Sequence, residues 1–275
     1  MRVSRARTAL VAAAAYLIAI VFLLPYLEMV ITAGRTKREL LDRNYFPTHF
    51  TFSNFTSLWS SGGLGGNILV SLEVAGGATL LALLVAVPAA YYTARHRFRG
   101  RTAFLLLVLA TQMFQPAAML VGLQREFTNF QLPSATLSLI IVNAGFNLAF
   151  AIWILNAFFS SIPVELEEAA QVDGLGRLGA LCRITLPLAA PGIVTALIFT
   201  FISAWNEFLV ALTLSLGSPA GSRPLTVAID GYVGEYSTDW GHLFAGGLVA
   251  TVPVIILFAV IERRVVSGLT AGAVK

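Results

Sequence analysis

Six long apolar segments divide this chain, and few folds are open to a chain divided that way. They run over about residues 9–31, 68–93, 103–123, 136–158, 188–214 and 243–261. Crossing the hydrocarbon of a bilayer takes roughly 20 apolar residues in a helix, and each segment approaches or exceeds that length. In lipid every backbone N–H and C=O must find its partner within the protein, which leaves helices or a closed barrel. A barrel would show short segments of alternating polarity, and none occurs. The expected fold class is therefore all-α: a polytopic membrane protein of six transmembrane helices, forming one transmembrane domain over residues 1–275. Composition agrees. Only 12% of residues are charged, about half the roughly 25% of a soluble domain, so most side chains must meet lipid or other apolar helices.

Arg2, Arg5 and Arg7 precede the first segment, as they would in a secretory signal. The apolar run from Ala9 to Ile31 is longer than the h-region of such a signal, and no small-x-small cleavage site follows. It is read as an uncleaved first span. With the N-terminus in the cytoplasm, six of the 18 basic residues fall outside: Arg35, Lys37, Arg38, Arg43, Arg125 and Arg223. The other twelve fall inside. Basic residues collect on the cytoplasmic side, so both termini are expected there. Arg95-His96-Arg97-Phe98-Arg99-Gly100-Arg101 is the strongest anchor. The first outer loop, about 34–66, holds four of the outer six, a mild violation in a long loop that carries less weight in the rule. With Pro47 and Gly62-Gly63-Leu64-Gly65-Gly66 it is expected to be partly ordered at the outer surface. The net charge of +4 does not point to nucleic acid, because the arginines flank apolar segments instead of forming a stripe with interleaved aromatics. The single cysteine, Cys182, excludes an internal disulfide. Lysine occurs only at Lys37 and Lys275, a bias that fits a GC-rich bacterial genome.

The stretch 159–187 is too polar to enter a bilayer and reads as two short helices. Pro163 suits a first helical turn, where its missing N–H costs nothing. Glu165, Glu167 and Glu168 then lie near the positive end of the helix dipole, and Gly174 is a good stop. Leu166, Ala169, Ala170 and Asp173 recur at i, i+3, i+4 and i+7 and are expected to share one shallow face. A second helix, about 177–185, carries Leu178, Leu181 and Cys182, and Pro187 is expected to end it. Glu165, Glu167, Glu168 and Asp173 against Arg177 and Arg183 leave this loop at −2, whereas the other inner segments are net positive. On periodicity and charge alone, a solvated helix explains the loop as well as a docking surface does.

Spacing adds a further signal. Glu168-Ala169-Ala170, three residues, Gly174, nine residues, then Ile184-Thr185-Leu186-Pro187 resembles the Glu-Ala-Ala loop of ABC importer permeases, with every fixed position met. Pro88-Ala89-Ala90-Tyr91-Tyr92-Thr93-Ala94-Arg95, followed by Phe98-Arg99-Gly100-Arg101, is similar to the end of the second span in carbohydrate-importer permeases. Trp205-Asn206-Glu207-Phe208-Leu209 resembles a motif of their fifth span, and Gly268-Leu269-Thr270-Ala271-Gly272-Ala273-Val274-Lys275 resembles their C-terminal tail. Leu123 to Ser134 matches poorly, and Glu28 stands where the family usually has an aromatic.

The resemblance is to the shorter, six-span permease of the maltose-type pair, and it implies the type I ABC importer permease fold with a cytoplasmic coupling helix. It implies that Glu165, Glu168, Ala169, Ala170, Asp173, Gly174, Ile184, Leu186 and Pro187 form the ATPase-coupling element, Glu168 and Gly174 foremost. The chain itself would carry no catalytic residue, metal or cofactor. ATP and magnesium would be bound by a partner, and no Walker A sequence occurs here. The implied partners are a second, larger permease, a dimer of ATP-binding subunits, and an extracytoplasmic sugar-binding protein or lipoprotein, assembled in the lipid of a bacterial plasma membrane.

Ionisable residues within spans are costly and face a cavity or a partner. Here they are Glu28, Glu73 and Glu207. In the expected orientation all three fall in the outer half, as do Gln115 and Asn143. Gln112 and Asn147 lie near mid-depth, Asn206 adjoins Glu207, and only Asn156 lies near the cytoplasmic end. The candidate substrate pathway is therefore Gln112, Gln115, Asn143, Asn147, Trp205, Asn206, Glu207 and Glu73, an outer vestibule whose amides and carboxylates hydrogen-bond sugar hydroxyls. Trp205 and Trp153 would supply stacking faces. The competing reading is hydrogen bonding between helices or carboxylates reaching the surface. The spans hold no Arg or Lys, which favours a neutral sugar or glycoside over a glycerol-3-phosphate-type polyol.

Two other function classes share some of these features. An ion-coupled secondary transporter would use Glu28, Glu73 or Glu207 and need no ATPase. A membrane-embedded enzyme would need a catalytic constellation. His49, His96 and His242 lie in separate loops without metal-ligand spacing, and no Ser/His/Asp arrangement is suggested. Gly174-Leu175-Gly176-Arg177-Leu178-Gly179 fits a dinucleotide fingerprint, but that reading needs a preceding strand.

Overall fold

A computed structural model describes residues 5–41, 49–60, 63–129, 134–219 and 221–272. Arg2, Arg43, Pro47, Gly62 and Ala273-Val274-Lys275 lie outside the described residues. Among the described residues the regular structure is helical, apart from one isolated antiparallel bridge between Val233 and Thr238.

Among the described residues, four helices hold continuous apolar stretches long enough to cross a bilayer: α1 (Arg5–Ala33), α4 (Leu64–Arg95), α7 (Ala135–Ser161) and α14 (Trp240–Gly272). Two bent pairs, each counted as one span, bring the number to six. The first pair is α5 (Arg101–Thr111) and α6 (Pro116–Asn129), which meet at 89° where a single span over 103–123 is expected. Pro116 explains the break. It has no N–H to give, and it disfavours the helical region for Gln115 before it. The second pair joins the polar loop to α11 (Ala190–Trp205).

A separate interruption falls within the expected span 188–214. Helix α11 stops at Trp205, and α12 (Leu209–Leu214) begins anew after three residues. The Glu207 carboxylate accepts from the backbone N–H groups of Val210 and Ala211, at 2.8 Å each. A side chain that satisfies the orphan donors of a helix start favours starting a helix there. Glu207 is thus both an ionisable residue within an apolar segment and the group that satisfies the first free N–H groups after its interruption.

The chain packs as two units. One comprises residues 1–64 with 228–252. Here α1 is apolar all round and no residue of its most apolar stretch is buried within the chain, which is the surface of a helix meant for lipid or another protein. Among the described residues, the loop after it holds α2 (Lys37–Leu41) and α3 (Ser53–Ser60). Asn54, buried on α3, donates Nδ2 to the carbonyls of Ala33 and Arg35 at 2.8 and 2.9 Å and so fastens α3 to the end of α1. His242, expected to stand alone in its loop, has Nδ1 at 2.9 Å from Asp239 Oδ2 and Nε2 at 2.7 Å from Ser57 Oγ. Lys37 Nζ reaches the same Asp239 oxygen at 3.0 Å. Ser57 Oγ also lies 2.7 Å from the Ser53 carbonyl, so the array ties helices together instead of presenting a free nucleophile.

The other unit comprises residues 65–227 with 253–275. One of its cores joins α4, α7 and α11 through Ala86, Ala90, Ala151, Ala189 and Ala196, with Ile152, Leu155 and Phe159 filling the remainder. Small residues let membrane helices approach closely, and Gly192 is so near Phe158 that a Cβ there would lie 2.3 Å from the ring. A second core gathers Val74, Leu139, Val142, Val210, Ala211 and, from the short α13 (Leu225–Asp230), Val227. Between the helices, Asn156 Nδ2 donates to Thr93 Oγ1 at 2.8 Å.

Candidate functional site

The polar loop between α7 and α11 folds as α8 (Glu165–Val172), α9 (Arg177–Ala180), a π-helical turn (Leu181–Thr185) and a short α10 (Leu186–Leu188). Helix α8 carries Glu165, Glu167 and Glu168 in its first turn, where negative charge suits the dipole. It ends in a two-bond C-terminal motif: Gly174 N donates to Gln171 O and Leu175 N returns to Ala170 O, at 3.1 and 3.0 Å. Such a turn needs one residue in the left-handed region, and Gly174 takes it with φ 93°. The glycine of the spacing pattern thus has a backbone reason to be glycine.

Pro187 is expected to end the second helix, and it does not. Having no N–H, it leaves the Arg183 carbonyl without its usual partner. The chain responds with the π turn, in which Leu186 N donates to Leu181 O. The helical path then resumes, with Ala189 N bonded to Thr185 O at 2.8 Å and Ile193 N to Ala189 O at 3.0 Å. It bends by 72° between the loop helix and α11.

The expected shallow face of α8 divides in two. Ala170 turns inward with Glu167, while Leu166, Ala169 and Asp173 stay exposed together with Glu165, Glu168 and Gly174. Ile184 and Leu186 are half-buried and Pro187 is exposed. Val172 is 87% exposed and Leu178 77% exposed, so the outward surface combines uncovered apolar side chains with an acidic rim. Exposed apolar groups rimmed by polar ones are a feature of surfaces that contact a protein, a membrane or a ligand.

Glu167 is the residue that sequence reasoning missed. Its carboxylate is enclosed by four side-chain donor groups on two other elements. Arg95 Nη2 and Nε lie 2.7 and 2.8 Å from Oε1, Thr185 Oγ1 donates to Oε1 at 2.7 Å, and Tyr91 Oη donates to Oε2 at 2.8 Å. Arg95 Nη1 also donates to the carbonyl of Ile162, just past the end of α7, at 2.8 Å. The two charged side chains are only 6% and 7% exposed. Burial pushes the Glu167 carboxyl up, but the hydrogen bonds from Thr185, Tyr91 and Arg95 and the guanidinium charge outweigh it, so the group sits below the usual carboxylate range. Tyr91 and Arg95 are one turn apart on α4, and Glu167 and Ala170 are nearly so on α8. That periodicity is visible in the sequence, but the pairing across 72 residues is not.

The candidate pathway residues separate. Asn143, Trp205 and Glu207 line one narrow crevice together with Ser71, Leu139 and Pro224. Trp205 is buried and stacked on Phe201 at 5.9 Å, not offered as an open platform. Asn143 and Asn147 are buried and bond back to their own helix, at the carbonyls of Leu139 and Asn143. Gln112 sits at the α5–α6 break and donates to the Phe146 carbonyl at 3.0 Å. Glu73, Gln115 and Asn206 are exposed and do not line that crevice. Glu28 accepts from Thr32 Oγ1 one turn on, at 3.1 Å.

The comparison with known proteins agrees with the helix arrangement. A family described as binding-protein-dependent transport system inner membrane component matches residues 78–270. The sulfoquinovosyl glycerol transport system permease protein SmoH of Agrobacterium fabrum is 37% identical over 255 residues, covering 92% of this chain and 89% of its own. The trehalose transport system permease protein SugB of Mycobacterium tuberculosis is 32% identical over 253 residues and 92% of each chain. A diacetylchitobiose uptake system permease protein of Streptomyces coelicolor, DasC, is 32% identical over 253 residues and 91% of each. Among solved structures, a chain of a bacterial ABC transporter involved in the import of alginate superposes with a TM-score of 0.76 at 22% identity. The match covers 96% of this chain and 99% of that one, so the two share a fold. This protein therefore belongs to the inner-membrane components of binding-protein-dependent transport systems, with the all-helical fold of type I ABC importer permeases.

Proposed function

We propose that the chain is the permease subunit of an ABC importer for a sugar or glycoside, driven by a separate ATPase docked on the 159–187 loop. One observation carries the reading. Helix α8 is fixed on one side through Glu167 and leaves Glu165, Glu168, Ala169, Asp173, Leu166 and Val172 uncovered on the other. A helix anchored within its own chain and open outward is a docking element.

The family and the distribution of basic residues support the remaining parts. The N- and C-termini and the α8 loop face the cytoplasm. The ATP-binding subunits bind ATP and magnesium and carry out hydrolysis, a second permease covers the apolar sides of the spans, and an extracytoplasmic binding protein delivers the solute. Relatives named for trehalose and diacetylchitobiose support a glycoside, and the spans hold no Arg or Lys to prefer a phosphorylated polyol. An ion-coupled mechanism finds no support in the family, and one of its three candidates, Glu207, has its carboxylate occupied by the first N–H groups of α12.

The test is affinity purification of the tagged chain from its native membrane in mild detergent. An ATP-binding subunit and a second permease in comparable amounts are expected. Recovery of the chain alone, or only as a homo-oligomer, would overturn the reading.

A further inference from the structure

Helix α8 is weakly attached except at one point. Its buried side chains are Glu167 and Ala170, and Ala170 offers a single methyl. No continuous helix carries it into its neighbours in sequence. Ile162, Pro163 and Val164 separate it from α7, and the left-handed turn at Gly174 separates it from α9. A push on its outer face would be absorbed by those joints unless another connection took the load.

Glu167 is that connection. Its carboxylate receives Tyr91 and Arg95 from the last turns of α4 and Thr185 from the π turn leading to α11. The Arg95 guanidinium takes the Ile162 carbonyl as well, so one buried group gathers α4, the end of α7, α8 and the path to α11. Helix α4 then runs 32 residues as one helix, although Pro88 within it gives up one backbone hydrogen bond. Near its other end Asn67 Nδ2 donates to the Arg223 carbonyl and Ser71 Oγ accepts from Leu225 N, both at 2.7 Å. Ser71 also lines the crevice of Glu207 and Asn143. Helix α4 thus links the Glu167 bonds at one end to the crevice beside the break at the other.

We propose that Glu167 is a positioning residue for transport: its buried bonds to Arg95 and Tyr91 lock α8 to α4, so that a displacement imposed on α8 is delivered along α4 to the Glu207 crevice. This rests on the reading of the loop as the ATPase docking site. A salt bridge kept for stability alone is replaceable by an apolar pair of similar size, often at no cost. A salt bridge kept to set geometry is not.

The experiment uses the complete importer in proteoliposomes and measures solute taken up per ATP hydrolysed, for wild type, the double variant Glu167→Leu with Arg95→Met, and Arg95→Lys. The double variant is expected to assemble and hydrolyse ATP while uptake per ATP falls about tenfold, a size typical of coupling between sites. Arg95→Lys, which keeps the charge, is expected to retain part of the ratio. A wild-type ratio in the double variant would overturn the proposal and leave the docking reading intact. Absence of ATP-driven uptake in the wild-type importer would overturn both. A second measurement does not depend on the double variant folding. Spin labels at the exposed Tyr92 and Val172 report whether α8 and α4 move together between the ATP-free and ATP-bound states. A constant separation is expected, whereas a change beyond about 5 Å, the size of a one-turn slip, would overturn the lock.

Discussion

The Arg95 guanidinium lies 2.7 Å from the Glu167 carboxylate across 72 residues of sequence, with both side chains almost wholly withdrawn from solvent. Burying two charges costs several kcal/mol each before any attraction is counted. Here Tyr91, Thr185 and the Ile162 carbonyl supply further hydrogen bonds, while Arg95 Nη2 meets the carboxylate as an ion pair alone; such added bonds are what let a buried pair offset its desolvation.

Removing one partner should therefore hurt more than removing both. Glu167→Gln or Arg95→Met alone leaves a buried, poorly satisfied group and is expected to cost about 3–5 kcal/mol. The Glu167→Leu, Arg95→Met double variant should recover most of that. Denaturant unfolding of the purified chain in detergent would compare the three, and a double variant no better than the singles would contradict this account.

The same pair fixes a pH dependence. The Glu167 carboxyl is held below its ordinary value of 4.5 in the folded chain, so the unfolded chain takes up its proton first as pH falls. Its contribution is complete above the ordinary carboxylate range and is lost only as pH drops through the lower folded value. The stability gap between wild type and Glu167→Gln is expected to stay constant from about pH 8 to pH 5 and to shrink in stronger acid. A gap already shrinking from about pH 8 to pH 6 would show that Glu167 does not titrate as an enclosed, low-lying carboxylate.

At Gly174 nothing lies within 4 Å of where an added methyl group would stand, yet φ is 93°. The cost of Gly174→Ala is then backbone strain alone, about 1–2 kcal/mol. Asn, which visits this region more readily, should be milder. Hydrogen exchange at the Leu175 amide is the readout: faster exchange in Gly174→Ala than in Gly174→Asn is expected, and equal rates would argue against the left-handed turn.

Glu207→Gln keeps one carbonyl oxygen where the structure uses two carboxylate oxygens, one for Val210 N and one for Ala211 N. A loss of roughly 1 kcal/mol at the start of α12 is expected, in line with a weakened cap. Uptake should fall while the importer still assembles. Unchanged uptake would remove Glu207 from the pathway.

Much of the fold was legible because the bilayer demands it. Long apolar runs leave little but helices, and α1, α4, α7 and α14 begin and end within a few residues of the expected segments, except that α14 continues to Gly272. The two interrupted segments show what hydropathy misses. Mean apolarity does not register that Pro116 withholds an N–H, or that Glu207 spends its charge on the next helix's backbone. The loop divided in the same way. Its helix, dipole and glycine stop are local and were readable from Glu165 to Gly174. Which of three neighbouring glutamates turned inward was set by Tyr91 and Arg95 on a distant helix, information that no local pattern contains. The polar span residues were also read by depth, whereas their hydrogen bonds are mostly helical and local, as at Asn143 and Asn147.

In the proposed importer an ATP-binding subunit sits on the outward face of the α8 loop. A photo-crosslinking amino acid placed at Val172 or at Leu178, and at the exposed Tyr236 as a control, tests it in native membranes. An adduct with the ATP-binding subunit is expected from Val172 and Leu178 and none from Tyr236. Absence of that adduct at both loop positions, with the importer assembled, would contradict it.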